Sequence, residues 1–301
     1  MAISHYIKEI GRGKEGARNL SREQAADLFG LVLDGGISDI ELGAFCIAMR
    51  IKGETPEEMA GFLDATHARM QRASVSGNGT AVVLPSYNGA RKLPVLTPLL
   101  ALLLAREGVP VLLHGTPTEA RRITSAEVLA ALGVAAPTEV GPLVAGQVSV
   151  LPTEVLHPGL KRLLEVRTIV GLRNSAHSLV KLMNPCDGPA LIVSSYTHPE
   201  YAVSMAETFK LVGAQALLLR GTEGESVADA RRTPQMDWFH HGERHLVQEA
   251  QGGSLASVPN LPKDIDAVST ARYTQAVLAG ELPTPEPIAT QVEHILRAVR
   301  A

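Results

Sequence analysis

Residues 81–133 read AVVLPSYNGARKLPVLTPLLALLLAREGVPVLLHGTPTEARRITSAEVLAALG, and their order of signals decides the fold. Ala81 to Pro85 is a short apolar run closed by a turn signal, the mark of a buried strand. The stretch 93–107 is too long and too leucine-rich for a strand and predicts a buried helix. Residues 109–114 are a second apolar run, flanked by Gly108 and Gly115. Thr124-Ser-Ala-Glu127 predicts a capping box, in which the threonine hydroxyl and the glutamate carboxylate bond each other's backbone N–H groups. Two buried strands joined through a helix need a crossover connection, so they should run parallel. In open parallel sheets, ligands bind beyond the carboxyl ends of the strands. Two loops lie there, residues 85–92 and 114–123, and both are basic through Arg91, Lys92, Arg121 and Arg122. An anionic ligand is the first expectation.

Upstream, residues 1–72 predict helices. Ser21-Arg-Glu-Gln24, Ser38-Asp-Ile-Glu41 and Thr55-Pro-Glu-Glu58 each carry a cap residue with Glu or Gln three positions on, and Pro56 sits at a first helical position. Residues 74–80 (SVSGNGT) predict a flexible join. Downstream, strands are expected at 148–151, 190–194 and 214–219, and helices at 157–166, 173–183 and 200–212. Such alternation means a largely parallel sheet with helices on its faces. Short edge strands are expected around Trp238-Phe239 and 244–247. Helices at 270–279 and 289–299 follow, separated by a proline-rich spacer at 283–287.

The chain has 301 residues, 45% hydrophobic and 20% charged, with a formal net charge of −3. This is ordinary for a globular protein with a sizeable core. Cys46 and Cys186 are the only cysteines, which excludes a disulfide framework and fits a reducing compartment. The apolar run at 93–105 is too short to span a bilayer and the first residues have no signal-peptide core, so the expectation is a cytoplasmic protein with no membrane partner.

The framework of residues 81–133 resembles that of anthranilate phosphoribosyltransferase and the related nucleoside phosphorylases. The segments IKEIGRGK, ELGAFCIAMRIKGE, PSYNGARK, LRNSAHSL and RGTEGE are similar to those of the YbiB-type branch, whose members bind nucleic acid. The resemblance covers nearly the whole chain. It implies a small N-terminal helical domain, residues 1–73, completed by helices from about 157–185, and a larger α/β domain, 74–301, with a mostly parallel sheet. It also implies a homodimer through the helical domain.

The ligand-holding residues depart from the enzymes. Their glycine-rich GTGGD turn, which holds pyrophosphate, is replaced by Pro85-Ser86-Tyr87-Asn88-Gly89-Ala90-Arg91-Lys92. His114-Gly115 runs into Thr116-Pro117 instead of Asn-Arg. The arginine that touches the aromatic acceptor corresponds to Lys161, beside Arg162; a lysine cannot make the planar bidentate contact. The adjacent Asp-Glu pair that holds magnesium corresponds to Glu225-Ser226. Ser86, Tyr87, Asn88, Gly89, His114, Gly115, Thr116, Asn174, His177, Glu223 and Glu225 therefore line a vestigial cleft. Glu223 and Glu225 either bind a hard cation or form a turn that bonds neighbouring backbone.

The basic residues suggest a second use. On a continuous helix Arg173, His177 and Lys181 would fall on one face, a stripe that suits the phosphates of a polymer; surface ion pairs are the plainer alternative. Arg173 and Lys181 join Arg12, Lys14, Arg91, Lys92, Arg121, Arg122, Lys161 and Arg162 in a candidate nucleic-acid-binding set. His240, His241 and His245 lack the four-ligand pattern of a structural zinc, so no metal site is expected there. Two functions follow. One is a non-catalytic protein binding DNA or RNA without sequence preference, free of cofactors, with affinity falling steeply as salt rises. The other is a glycosyl or pentosyl (phosphoribosyl) transferase with an altered donor or acceptor, in which magnesium would return as cofactor. The motif losses favour the first.

Overall fold

The computed structural model describes residues 2–77, 79–255 and 259–301, with the Lys14 side chain outside the description. The chain opens with α1 (Ser4–Ile10), α2 (Gly13–Gly16), α3 (Arg22–Leu33), α4 (Asp39–Lys52) and α5 (Pro56–His67). All three capping boxes here are formed, at Ser21/Gln24, Ser38/Glu41 and Thr55/Glu58. Helices α3 and α5 approach closely because Gly61 has no side chain; a Cβ there would overlap the Arg22 carbonyl oxygen. Phe29 stacks on Phe62 at 4.5 Å, and Phe45 meets both edge-on, at 6.2 and 6.1 Å. All three rings are fully buried at the centre of the helical layer.

The α/β part follows as β1 (Ala81–Pro85), α6 (Thr97–Arg106), β2 (Val111–His114), α7 (Ser125–Ala131) and β3 (Val148–Leu151). Next come α8 (Thr153–Leu156), α9 (Pro158–Val170), α10 (Ala176–Leu179), β4 (Ala190–Tyr196), α11 (Pro199–Val212) and β5 (Ala216–Arg220). The chain ends in β6 (Met236–His240), β7 (Glu243–Gln248), α12 (Ala267–Leu278) and α13 (Glu286–Arg300). The strand order is β3-β2-β1-β4-β5-β6-β7. The first five strands are mutually parallel, and β6 and β7 form an antiparallel hairpin on the β5 edge.

The central strands are apolar on both faces, as a doubly covered sheet requires. Ala81 and Val83 of β1 face the core shared with the helical layer; Val82 and Leu84 face α6, α12 and α13. From β1 the chain builds outward to β3, then returns to place β4 on the other side of β1. The strand order therefore reverses between β1 and β4, and their carboxyl ends frame a crevice. The helical layer is completed by α9, held against α3 at Gly159, where a Cβ would overlap the Leu33 carbonyl oxygen.

Two expectations need correction. The buried helix begins at Thr97, not near Leu93, because residues 91–96 are spent on the loop that follows β1. Residues 173–183 are not one helix. Only Ala176–Leu179 is helical, preceded by the left-handed Gly171 and by Asn174, whose side-chain oxygen accepts the Ala176 N–H.

Candidate functional site

The loop after β1 is organised around two carboxylates that arrive from the far end of the chain. Glu225 is 2% exposed. One of its oxygens accepts the Gly89 N–H at 2.8 Å. The other accepts the hydroxyls of Ser86, of Thr97 at 3.1 Å and of Ser125 at 3.3 Å. Thr97 opens α6 and Ser125 opens α7, so three separate elements aim donors at one point. Glu223 does the same beside it: one oxygen accepts the backbone N–H groups of Arg91 and Lys92 at 3.0 Å and of Leu93 at 3.3 Å. The local turn expected of these glutamates, bonding its own neighbouring backbone, is not what forms: both side chains reach across to the loop after β1 and the openings of α6 and α7. Thr97 and Ser125 escape sequence reasoning; their only signal is a hydroxyl at the first position of a helix that follows a strand.

Lys181 lies beneath this turn. Its ammonium donates to the Ser195 carbonyl at 2.8 Å, the Gly224 carbonyl at 2.9 Å and the Ser195 hydroxyl at 3.3 Å. Burial pushes its pKa down to about 8, with the Glu225 charge opposing the shift. Asn88 ties the same corner, its side-chain oxygen accepting from Arg173 at 3.0 Å. Tyr87 is buried, and its hydroxyl donates to the His177 carbonyl at 2.7 Å. The Asn174 N–H reaches His177 Nδ1 at 3.3 Å, and Nε2 has no protein partner. Burial, reinforced by Arg173 and Arg167, pushes this histidine down to about 3, so it is neutral at pH 7. His114, at the end of β2, is likewise buried with both ring nitrogens unpartnered. Gly115 must be glycine, since a Cβ would overlap the Ser86 carbonyl oxygen. Thr116 donates to Glu154 at 2.5 Å and accepts the Thr153 N–H at 3.0 Å, which anchors the second loop to α8.

A cavity of about 240 Å³ opens at the crevice between the helical layer and the sheet. Arg50 and Glu54 line it from the helical side, Arg173, His177 and Lys181 from the middle segment, and Tyr196 and Tyr201 from the β4 side. Burial raises the pKa of Glu54, whose carboxylate accepts the Ser175 hydroxyl. The cavity is cationic and of a size for a single ring.

Half of the candidate basic residues are paired within the chain. Arg12 pairs with Glu9 at 3.1 Å, Lys161 with Glu165 at 2.9 Å and Arg162 with Asp39 at 2.9 Å. Glu119 gathers Arg167 at 2.8 Å, Arg122 at 3.0 Å and Arg173 at 3.5 Å. Against the upward pull of partial burial, its arginine contacts hold its carboxyl down to about 2. Arg91, Lys92 and Arg121 are exposed. The stripe expected from Arg173, His177 and Lys181 does not exist: His177 and Lys181 are buried and turned into the site. Lys14 lies in α2, with its side chain outside the described residues.

The glutamate turn does not suit magnesium. Both Glu225 oxygens are engaged by N–H and O–H donors, and Ser226 donates away from the turn, to the Pro85 carbonyl at 2.7 Å. Among the described residues no group of three or more His, Cys, Asp or Glu side chains is arranged to hold a metal ion.

A sheet with a crevice at its reversal point, capped by a small helical layer, defines a phosphoribosyltransferase-type fold, and the comparisons agree. The family described as "Glycosyl transferase family, helical bundle domain" matches residues 4–70. An uncharacterized protein of Escherichia coli (strain K12), YbiB, is 39% identical over 99% of this chain and 94% of its own length. An anthranilate phosphoribosyltransferase of Bradyrhizobium sp. (strain ORS 278) is 30% identical over 92% of this chain and 83% of its own. The solved anthranilate phosphoribosyltransferase of Thermus thermophilus superposes with a TM-score of 0.73, covering 95% of this chain and 85% of that one at 23% identity. The chain belongs to the anthranilate phosphoribosyltransferase-like glycosyl transferase family.

Proposed function

We propose that the chain is a phosphoribosyltransferase-type protein that transfers a pentosyl or glycosyl group to a small, single-ring acceptor from a donor other than phosphoribosyl pyrophosphate. The observation that carries this reading is the cationic crevice at the reversal point of the sheet, lined by Arg50, Arg173 and Lys181; the neighbouring cradle of Ser86, Gly89, Thr97 and Ser125 donors is occupied by Glu225. Group transfer of this kind needs a ring held in place and an anionic leaving group stabilised next to it. Arg173 and the unpartnered His177 Nε2 supply directional contacts for an acceptor carrying a carboxylate or a carbonyl. The altered donor follows from the cradle, whose donors are already spent on Glu225, and from the lack of fit for magnesium. Nucleic-acid binding gains less support, because half of the candidate cations are paired within the chain and Lys181 is buried.

Calorimetry with a panel of single-ring carboxylates and nucleobases tests the acceptor site. Binding in the micromolar-to-millimolar range, weakened at least tenfold by Arg173→Ala, is the expected result. A panel with no binder removes the reading. Tight, magnesium-dependent binding of phosphoribosyl pyrophosphate by the wild type would sink the altered-donor half alone.

A further inference from the structure

A second cavity, of about 770 Å³ against about 240 Å³ for the crevice, borders the glutamate turn at Gly221, Thr222 and Glu223. Among the described residues Tyr196, at the end of β4, is the only one that lines both. Lys92 and Leu93 border the second cavity from the loop after β1, Arg220 from the end of β5, and Arg231 and Arg232 from the segment that leads into β6. That segment is braced. The Arg232 guanidinium donates to the Gln251 and Gly253 carbonyls at 3.0 and 2.9 Å. The Thr233 N–H donates to the Gln251 side-chain oxygen at 3.1 Å, and the Gln251 N–H to the Thr233 carbonyl at 2.9 Å. Four cations line the cavity with two carboxylates. Asp229 is held by Arg231 at 2.9 and 2.7 Å, and Glu223 gives one oxygen to three backbone N–H groups. Among the described residues no carboxylate pairs with Lys92, Arg220 or Arg232. The Thr222 hydroxyl in the same lining is buried without a partner. The chain as a whole carries −3, so this concentration of unpaired positive charge is local.

We propose that this cavity is a second binding site, separate from the crevice, for a small organic anion that carries two or more carboxylate or phosphate groups. A concave site with low-dielectric walls concentrates the field of its unpaired cations. An arginine grips an oxyanion through a planar pair of N–H donors, and a lysine adds a point charge on a flexible stem. Lys92, Arg220 and Arg232 come from three separate segments, which favours a ligand with several anionic groups over a lone ion. Thr222 adds a neutral donor that has no other use. Tyr196, Leu93 and Pro234 supply apolar contact for the carbon body that joins the anionic groups. The proposal does not rest on the transferase reading, because the acceptor panel reads the crevice and its Arg173.

The probes are citrate and fructose bisphosphate, titrated into the wild type by calorimetry. Acetate and inorganic phosphate at equal ionic strength are the single-group controls. At least one polyanion should bind, one per chain, at least tenfold more tightly than its control. Which one does so separates a carboxylate ligand from a phosphate ligand. Arg220 and Lys92 are exposed and unpaired, so Arg220→Ala and Lys92→Ala should melt like wild type, and each should weaken binding severalfold. Thr222→Val, which keeps the shape and removes the hydroxyl, should also weaken it. Arg272→Ala, at an exposed arginine of α12 outside the cavity, should leave it unchanged. No binding of either polyanion overturns the proposal, and so does equal binding of a polyanion and its control. An affinity that survives both Arg220→Ala and Lys92→Ala overturns it too. So does one that falls with Arg173→Ala, which would place the anion in the crevice.

Discussion

Lys181 shows how one buried charge sets a measurable property. Its pKa is depressed from 10.5 to about 8 by burial, so between those values the unfolded chain binds a proton that the folded chain does not. Stability then rises with pH across that window, by up to about 1.4 kcal/mol per pH unit from this group. Below pH 8 the charged lysine is a constant cost. Lys181→Met should flatten the rise between pH 8 and 10.5, as read from urea midpoints against wild type; an unchanged profile would mean that the ammonium is not desolvated. The same side chain illustrates what residue identity alone conceals. A lysine at this position reads as a surface cation, and the structure turns it under the glutamate turn, onto the Gly224 and Ser195 carbonyls.

At the scale of elements, the helix starts were legible because capping is local. A Ser or Thr and a Glu or Gln three residues apart satisfy each other's backbone whatever the rest of the chain does, and all four expected boxes are present. Helix ends were less legible. The stretch 173–183 has helical spacing, yet the Asn174 side chain bonds the Ala176 N–H, and the Lys181 carbonyl accepts the Ser194 hydroxyl at 2.7 Å. Tertiary partners there replace the helical ladder. The α3–α5 contact allows a quantitative statement. Gly61→Ala gains about 1 kcal/mol of helix propensity but puts a methyl against the Arg22 carbonyl. Overpacking of this kind costs about 1–3 kcal/mol, and backbone cannot give way as a side chain can. The expected net loss is up to about 2 kcal/mol, seen as a lower urea midpoint with an unchanged slope. A stabilising result would show that the two helices separate freely.

For the whole molecule, the strongest pH effect lies on the acid side. Burial lowers His67 to about 4 and His114 and His177 to about 3. Each is neutral in the folded state and charged in the unfolded state below 6.5, so their contribution is complete above pH 6.5 and is lost as pH falls towards those values. Between about pH 7 and pH 5 each withdraws on the order of 2 kcal/mol. The protein should therefore weaken well before its carboxylates titrate. His114→Leu should reduce the loss between about pH 7 and pH 5 by on the order of 2 kcal/mol, measured by chemical denaturation. An undiminished loss would place the acid sensitivity elsewhere.

The order of strands and helices, the parallel core of the sheet and the capped helical layer follow from the sequence by itself. Each rests on spacing within about a dozen residues: apolar runs, cap pairs, and the crossover that a helix between two strands imposes. The location of a crevice beyond the strand ends is legible for the same reason. Only the tertiary structure decided which polar side chains meet. Ser86 meets Glu225, Asn88 meets Arg173 and Arg162 meets Asp39 across 139, 85 and 123 residues. No local pattern marks such pairs, because a charge in a sequence carries no sign of its partner. The fold pairs half of the candidate cations with carboxylates of the same chain, and turns two apparent metal ligands onto the donors of the loop after β1.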